Sequence, residues 1–213
     1  MLEMIGYASA ALIGVSLGLI GGGGSVLTVP VLVYLMGVSP VLATAYSLFI
    51  VGSSSAIGAL RYAQRNQIDF KTALIFGVPS IITVYLTRKF IVPAIPEEVF
   101  QMGETMLTKG TLLMVLFALL MLVASVGMIR KRKESNQKAE KKSDAQRILI
   151  VLGEGILVGG LTGLVGAGGG FLIIPALVLF AGLEMKTAIG TSLIIISAKS
   201  LIGFLGDVSN YQI

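Results

Sequence analysis

The chain is 213 residues long, 55% hydrophobic and 13% charged, with a mean hydropathy of +0.93 and a formal net charge of +5. A soluble domain is nearer a quarter charged, so the composition places this chain in a lipid bilayer. The absence of Cys and His excludes disulfides, thiolate chemistry, Cys/His zinc sites and histidine proton relays. Half of the 16 basic residues crowd into 130–147, which reads as an orientation anchor and not as a nucleic-acid surface.

The chain opens Met-Leu-Glu-Met, with an acid and no base. A secretory signal needs a positive start, so the first apolar stretch is expected to stay in the mature protein. Apolar segments follow at 4–20, 26–36, 41–60, 72–92, 110–129, 148–165, 171–181 and 186–205. Segments 41–60, 72–92, 110–129 and 186–205 are long enough for full spans. The stretches 4–36 and 148–181 are each about 33 residues, or roughly 50 Å as a straight helix. That is too long for one straight span and short for two. A glycine run splits each of them, and a broken helix or a re-entrant hairpin fits both lengths. Non-helical backbone at that depth must be buried in protein or line a wet cavity.

The linker 130–147 carries eight bases and three acids, which puts it in the cytoplasm. Two spans back, loop 61–71 carries Arg61, Arg65 and Lys71 against Asp69, in agreement. Loop 93–109, with Glu97, Glu98 and Glu104 against Lys109, then faces outward. Pro93 and Pro96 mark its start as non-helical.

Two stretches are one element written twice. Residues 14–58 align without a gap to 159–203, with 18 of 45 positions identical. The matches include Gly21/Gly166, Gly23/Gly168, Gly24/Gly169, Pro30/Pro175, Gly37/Gly182 and Ser47/Ser192. The loop after the second copy holds Asp207 and no base, opposite in bias to 61–71. Opposite bias at matching loops favours inverted-topology repeats over parallel ones. The expected organisation is a first membrane repeat at 1–129, the basic linker at 130–147, and a second repeat at 148–213. The second repeat stops at the equivalent of Gln67-Ile68, so a longer parent with two further spans is expected. The fold class is all-α integral membrane.

Chemistry is expected at the glycine runs 20–30, IGGGGSVLTVP, and 165–175, VGAGGGFLIIP. Glycine lets backbone leave helical geometry and approach a ligand. A helix restarting after the run presents free N–H groups and the positive end of its dipole, which suits an anion. The candidate contacts are Gly22, Gly23, Gly24 and Ser25 in one copy and Gly168, Gly169 and Gly170 in the other. Ser47 and Ser192 join them as hydroxyl donors retained in both copies, although bonding back to their own helix competes. Lys199 lies inside a span and is either a site residue or a snorkelling anchor. Arg88 and Lys89 close a span and read as interface anchors, and Glu154 as interfacial. Gly14, Gly18 and Gly22, with Gly155, Gly159 and Gly163, have the spacing of close helix packing. No Gly-Lys-Ser/Thr follows either run, so nucleotide loops match poorly. No His, Cys or carboxylate cluster lies at membrane depth to support an enzyme, and no metal or cofactor is implied.

On the paired stretches GLIGGGGSVLTVPVLVYLMGVSPVLATAYSLFIVGSSSAIG and GLVGAGGGFLIIPALVLFAGLEMKTAIGTSLIIISAKSLIGFLGD, the chain resembles the TauE/SafE sulfite exporter family. The resemblance covers both repeats and implies a multi-pass transporter of the bacterial inner membrane. It implies a substrate among sulfite, organosulfonates and related sulfur anions. The residues alone support an anion held near the midplane between two glycine breaks. A passive anion channel or a non-transporting membrane scaffold are the alternatives, and oligomeric state is not readable.

Overall fold

The computed structural model describes residues 25–102, 105–130, 144–166, 168–179 and 181–208. A short helix α1 (Ser25–Pro30) runs into a π-helical turn (Val31–Leu35). Then come α2 (Pro40–Gln64), α3 (Phe70–Leu86), a second π-helical turn (Thr87–Ile91) and α4 (Val92–Ala94). A β-hairpin of β1 (Glu98–Met102) and β2 (Thr105–Thr108) leads into α5 (Lys109–Arg130). The chain closes with α6 (Asp144–Val165), α7 (Gly170–Leu179) and α8 (Met185–Val208).

Local chemistry sets the ends. Ser39 precedes α2 in an extended conformation and Pro40 fills the first helical position, where its missing N–H costs nothing. Asp69 caps α3 by accepting from the Thr72 amide at 2.9 Å. Gly37 and Gly182 share a left-handed φ of 68° and 67°. Beside them, Val38 N–H donates to Leu32 O at 3.0 Å and Leu183 N–H to Leu177 O at 3.1 Å. This is the same glycine-terminated helix end at both equivalent places.

Four stretches are long and apolar enough to cross a membrane, namely Pro40–Gln64, Phe70–Ala94, Ile148–Val165 and Met185–Val208. The chain is therefore a helical, multi-pass membrane protein. Several boundaries differ from expectation. The helix after Phe70 continues through the π turn to Ala94, because a widened turn accommodates the ring and missing N–H of Pro93. The outer stretch 93–109 contains a two-stranded antiparallel hairpin, an addition to an all-α plan. Helix α6 starts at Asp144, inside the basic stretch. Helix α8 runs on to Val208 and takes Asp207 out of the expected loop. The first glycine run, with Gly22, Gly23 and Gly24, lies outside the described residues.

Contacts fix helix directions. A methyl group at Gly52 would come within 2.9 Å of Leu201 Cγ, one at Gly58 within 3.3 Å of Leu193, and one at Gly190 within 2.9 Å of Tyr62 Cβ. Residue numbers fall on one helix as they rise on the other, so α2 and α8 run antiparallel. On the α3–α6 face, a methyl group at Gly155, Gly159 or Gly163 would lie 2.6, 2.6 or 3.0 Å from Phe76 O, Ser80 O or Thr87 Cβ. Those numbers rise together, so α3 and α6 run parallel. Gly77 against Ile195 and Gly203 against Val84 make α3 and α8 parallel as well. Between α6 and α8 the chain must therefore return, and α7 is the segment that carries it back. The glycine spacing in α6 brings backbones together, which is how helices associate where apolar burial gives no net drive. Val51, Phe76, Ile173, Leu177, Ile195 and Ile196 fill the centre.

Candidate functional site

The return from α6 to α7 is made by glycine in conformations that other residues resist. Gly166, Gly168 and Gly169 have φ of 72°, 63° and 78°. All three are buried. Three surfaces close on this turn so tightly that a side chain has no room. A Cβ at Gly166 would collide with Thr44 Cβ and lie 2.6 Å from Arg88 Nη2. One at Gly168 would collide with Val51 Cγ1, and one at Gly169 with Thr162 Cγ2. The last would also lie 2.8 Å from Lys199 Nζ. Helix α7 starts at Gly170, with the Leu172 and Ile173 amides donating to Gly169 O at 3.0 and 2.9 Å, and the positive end of its dipole lies at the same place.

Two cations therefore stand at either end of the turn, which four residues can span by at most about 11 Å. Lys199 is 1% exposed and donates to Thr162 Oγ1 at 2.9 Å. Thr162 gives its own proton to Val158 O at 2.7 Å, which leaves its oxygen free to accept. Lys199 thus faces inward beside Gly169, and the snorkelling alternative is set aside. Arg88 corrects the expectation of an interface anchor, because its side chain is fully buried. Its Nη1 donates to Thr44 Oγ1 at 2.9 Å and to Asp207 Oδ2 at 3.1 Å. The longer helix after Phe70 explains this, since Arg88 is six residues short of its end at Ala94. Lys89 keeps a peripheral role, with its ammonium 3.2 Å from Tyr85 Oη. Glu154 is half-buried on α6.

Thr44, Ser47 and Val51 follow at helical spacing along one face of α2. Thr44 and Val51 touch the turn, and Ser47 lies between them. Its hydroxyl is fully buried and has no hydrogen-bond partner among the described residues. Ser192 is elsewhere. Its hydroxyl bonds back to Ile189 O at 2.8 Å. In the antiparallel register of α2 and α8, Ser47 sits about 20 Å along the axis from Ser192. Equivalent residues of two antiparallel helices are carried apart in this way, so retention in both copies does not imply one shared site. Ser25 opens α1.

Asp207 and Arg88 are the charged pair that reading along the chain missed. Each lies near the end of an apolar run, where a charge is easily taken for an interface residue. The usable signal was their opposite sign, because ionisable residues within a membrane pair with one another. Clefts lie toward both ends of the bundle. One of about 240 Å³ is bordered by Asp69, Lys71, Ile148 and Leu183. The other, of about 490 Å³, is bordered by Ser39, Pro40, Glu97 and Thr108.

Comparison with known proteins places the chain among membrane transporters. The family model described as Sulfite exporter TauE/SafE matches residues 7–213. A "Probable membrane transporter protein" of Xylella fastidiosa strain 9a5c is 30% identical over 200 residues, which cover 93% of this chain and 71% of that protein. One from the Temecula1 strain is 29% identical, over 99% of this chain and 77% of its own length. The "Probable membrane transporter protein YunE" of Bacillus subtilis is 28% identical, over 87% of this chain and 70% of its own. No solved structure matches the chain.

Proposed function

The chain belongs to the sulfite exporter TauE/SafE family, and from that premise we propose that this membrane transporter carries a small sulfur-containing oxyanion bound at the 166–169 turn. The observation that carries the reading is the pairing of a left-handed glycine turn at a helix start with two fully buried cations, Arg88 and Lys199. Backbone N–H groups and a helix dipole favour negative charge there. The ammonium of Lys199 has one protein acceptor among the described residues, Thr162, and can donate to a further oxygen. Ser47 supplies a buried hydroxyl on the opposite wall. The missing Cβ atoms are what let Thr44, Val51 and Thr162 approach the backbone of the turn.

The same reading includes inverted repeats. Helices α2 and α8 occupy equivalent places in the two aligned stretches, and they pack antiparallel. The α6–α7 pair returns the chain to the end from which it came, and a matching return in the first repeat would give each repeat an odd number of crossings. That is the arrangement expected of transporters whose site lies between repeats. The test is flux in proteoliposomes loaded with sulfite or methanesulfonate. Saturable uptake accelerated by substrate on the opposite side supports a carrier. Non-saturating flux without counterflow points to a channel, and no flux of either anion refutes the proposal.

A further inference from the structure

We propose that Asp207 sets the charge of the anion this protein accepts, restricting it to a single negative charge. The inference rests on the reading of the 166–169 turn as the anion site and names the class of substrate that site takes. Arg88 and Lys199 face the turn, while Asp207 is fully buried and held to Arg88 Nη1 at 3.1 Å. Together the three leave one net positive charge.

No other described acid or base enters this count. Glu154 precedes Thr162 by two turns of α6, about 12 Å along the axis, and is half-buried. The Lys89 ammonium rests 5.4 Å from the Tyr85 ring centroid and 5.8 Å from that of Phe90. Helix α7, which begins at the turn, carries no acid or base along Gly170–Leu179. Residues 4–60, which include the wall formed by α2, carry none either.

A desolvated site tolerates little uncompensated charge. A sulfonate or hydrogen sulfite brings one negative charge and neutralises the cluster. A dianion such as sulfate would leave one negative charge uncompensated beside the Asp207 carboxylate. Asp207 Oδ1 has no hydrogen-bond partner among the described residues, so its charge is offset through Oδ2 and Arg88. Asp207 thus acts as a fixed internal anion on Arg88, and Lys199 is the cation left for the substrate.

The experiment compares binding of methanesulfonate, a monoanion, and sulfate, a dianion, to the full chain in lipid nanodiscs at neutral pH. The parent is expected to bind methanesulfonate at least about tenfold more tightly, as one elementary charge at close range in a low-dielectric site dictates. Asp207→Asn adds one net positive charge and should move the ratio at least about tenfold toward sulfate. Adding Lys199→Met to Asp207→Asn returns the net charge to its starting value and should restore the parent's order. A ratio unmoved by Asp207→Asn overturns the inference, as does a parent that binds sulfate as tightly as methanesulfonate. Should Asp207→Asn fail to fold, the parent ratio still decides, and Lys199→Met alone must weaken sulfate more than methanesulfonate. If the parent binds neither anion, the anion-site reading itself fails and takes this inference with it. Binding of both with a ratio that ignores Asp207 sinks the charge rule alone.

Discussion

Arg88 and Asp207 stand 119 positions apart in sequence and 3.1 Å apart in space, with neither side chain reaching solvent. Removing one partner of such a pair strands the other as a buried charge, at a cost of about 3–5 kcal/mol. Arg88→Met should therefore lower the thermal stability of the purified protein sharply and abolish anion binding. Arg88→Met combined with Asp207→Asn should recover most of the stability but not the binding. Equal melting temperatures for the parent and the Arg88→Met variant would contradict the pairing.

The glycines of the second run were legible as a break because four close glycines in a span serve neither packing nor helix propensity. The α6 glycines were legible as packing residues for the complementary reason, their regular spacing of four. What the sequence hid was depth. Composition alone ends one apolar span near residue 92 and another near 205, which leaves Arg88 and Asp207 at or beyond the edges. Helix extension through a π turn and to Val208 draws both inward. That extension depends on tertiary contacts, such as Gly206 against Arg88 Cβ, which no local pattern encodes.

Gly169→Ala tests the turn. At a φ of 78° a side chain costs about 1–2 kcal/mol in strain alone, and the added methyl would press on Thr162 and the Lys199 ammonium. Binding of methanesulfonate should drop, and Gly168→Leu should abolish it. Gly153→Ala is the control. It lies on the exposed face of α6 with nothing within 4 Å, so it should leave binding intact and stabilise by up to about 1 kcal/mol. Calorimetric titration and melting curves on the three variants check this.

Lys199→Met keeps the stem and removes the charge. A charge-assisted contact contributes on the order of 1.5–3 kcal/mol, so affinity for methanesulfonate should fall roughly 10- to 100-fold. Lys199→Arg should be milder but not neutral, because a planar fork does not match a compact ammonium against Thr162. Affinity unchanged in Lys199→Met would remove Lys199 from the site.

Gly159→Leu would drive a side chain into the Ser80 carbonyl, which stands 2.6 Å from the added Cβ. Because α3 and α6 touch through backbone at this point, the helices must part. Arg88, carried by the extension of α3, would then shift from the turn at the end of α6. Loss of stability together with loss of binding is expected, measured by melting and by titration of the same sample. A variant with parental stability would mean that the two helices are not in backbone contact.

Orientation can be read by labelling, since the chain has no Cys. Asn66 lies in the turn between α2 and α3, and Glu97 lies beyond α4 at the opposite end of the same span. Asn66→Cys should react with an impermeant thiol reagent only from the cytoplasm, and Glu97→Cys only from outside. The reverse pattern would invert the assignment drawn from loop charge.

The sequence distance between Arg88 and Asp207 also has a consequence for biosynthesis. A ribosome adding about 5–20 residues per second makes Asp207 on the order of 10 s after Arg88. During that interval the third helix enters the bilayer before its carboxylate partner exists. An arginine near the end of a nascent span can hold its head at the water interface meanwhile, because its long stem allows it. Helix α8, made later, is then the one that draws the guanidinium inward. Arrival of α8, and not insertion of α3, would assemble the charged centre. Chains released before Asp207 would insert yet lack that centre, which gives quality control a simple mark by which to recognise them.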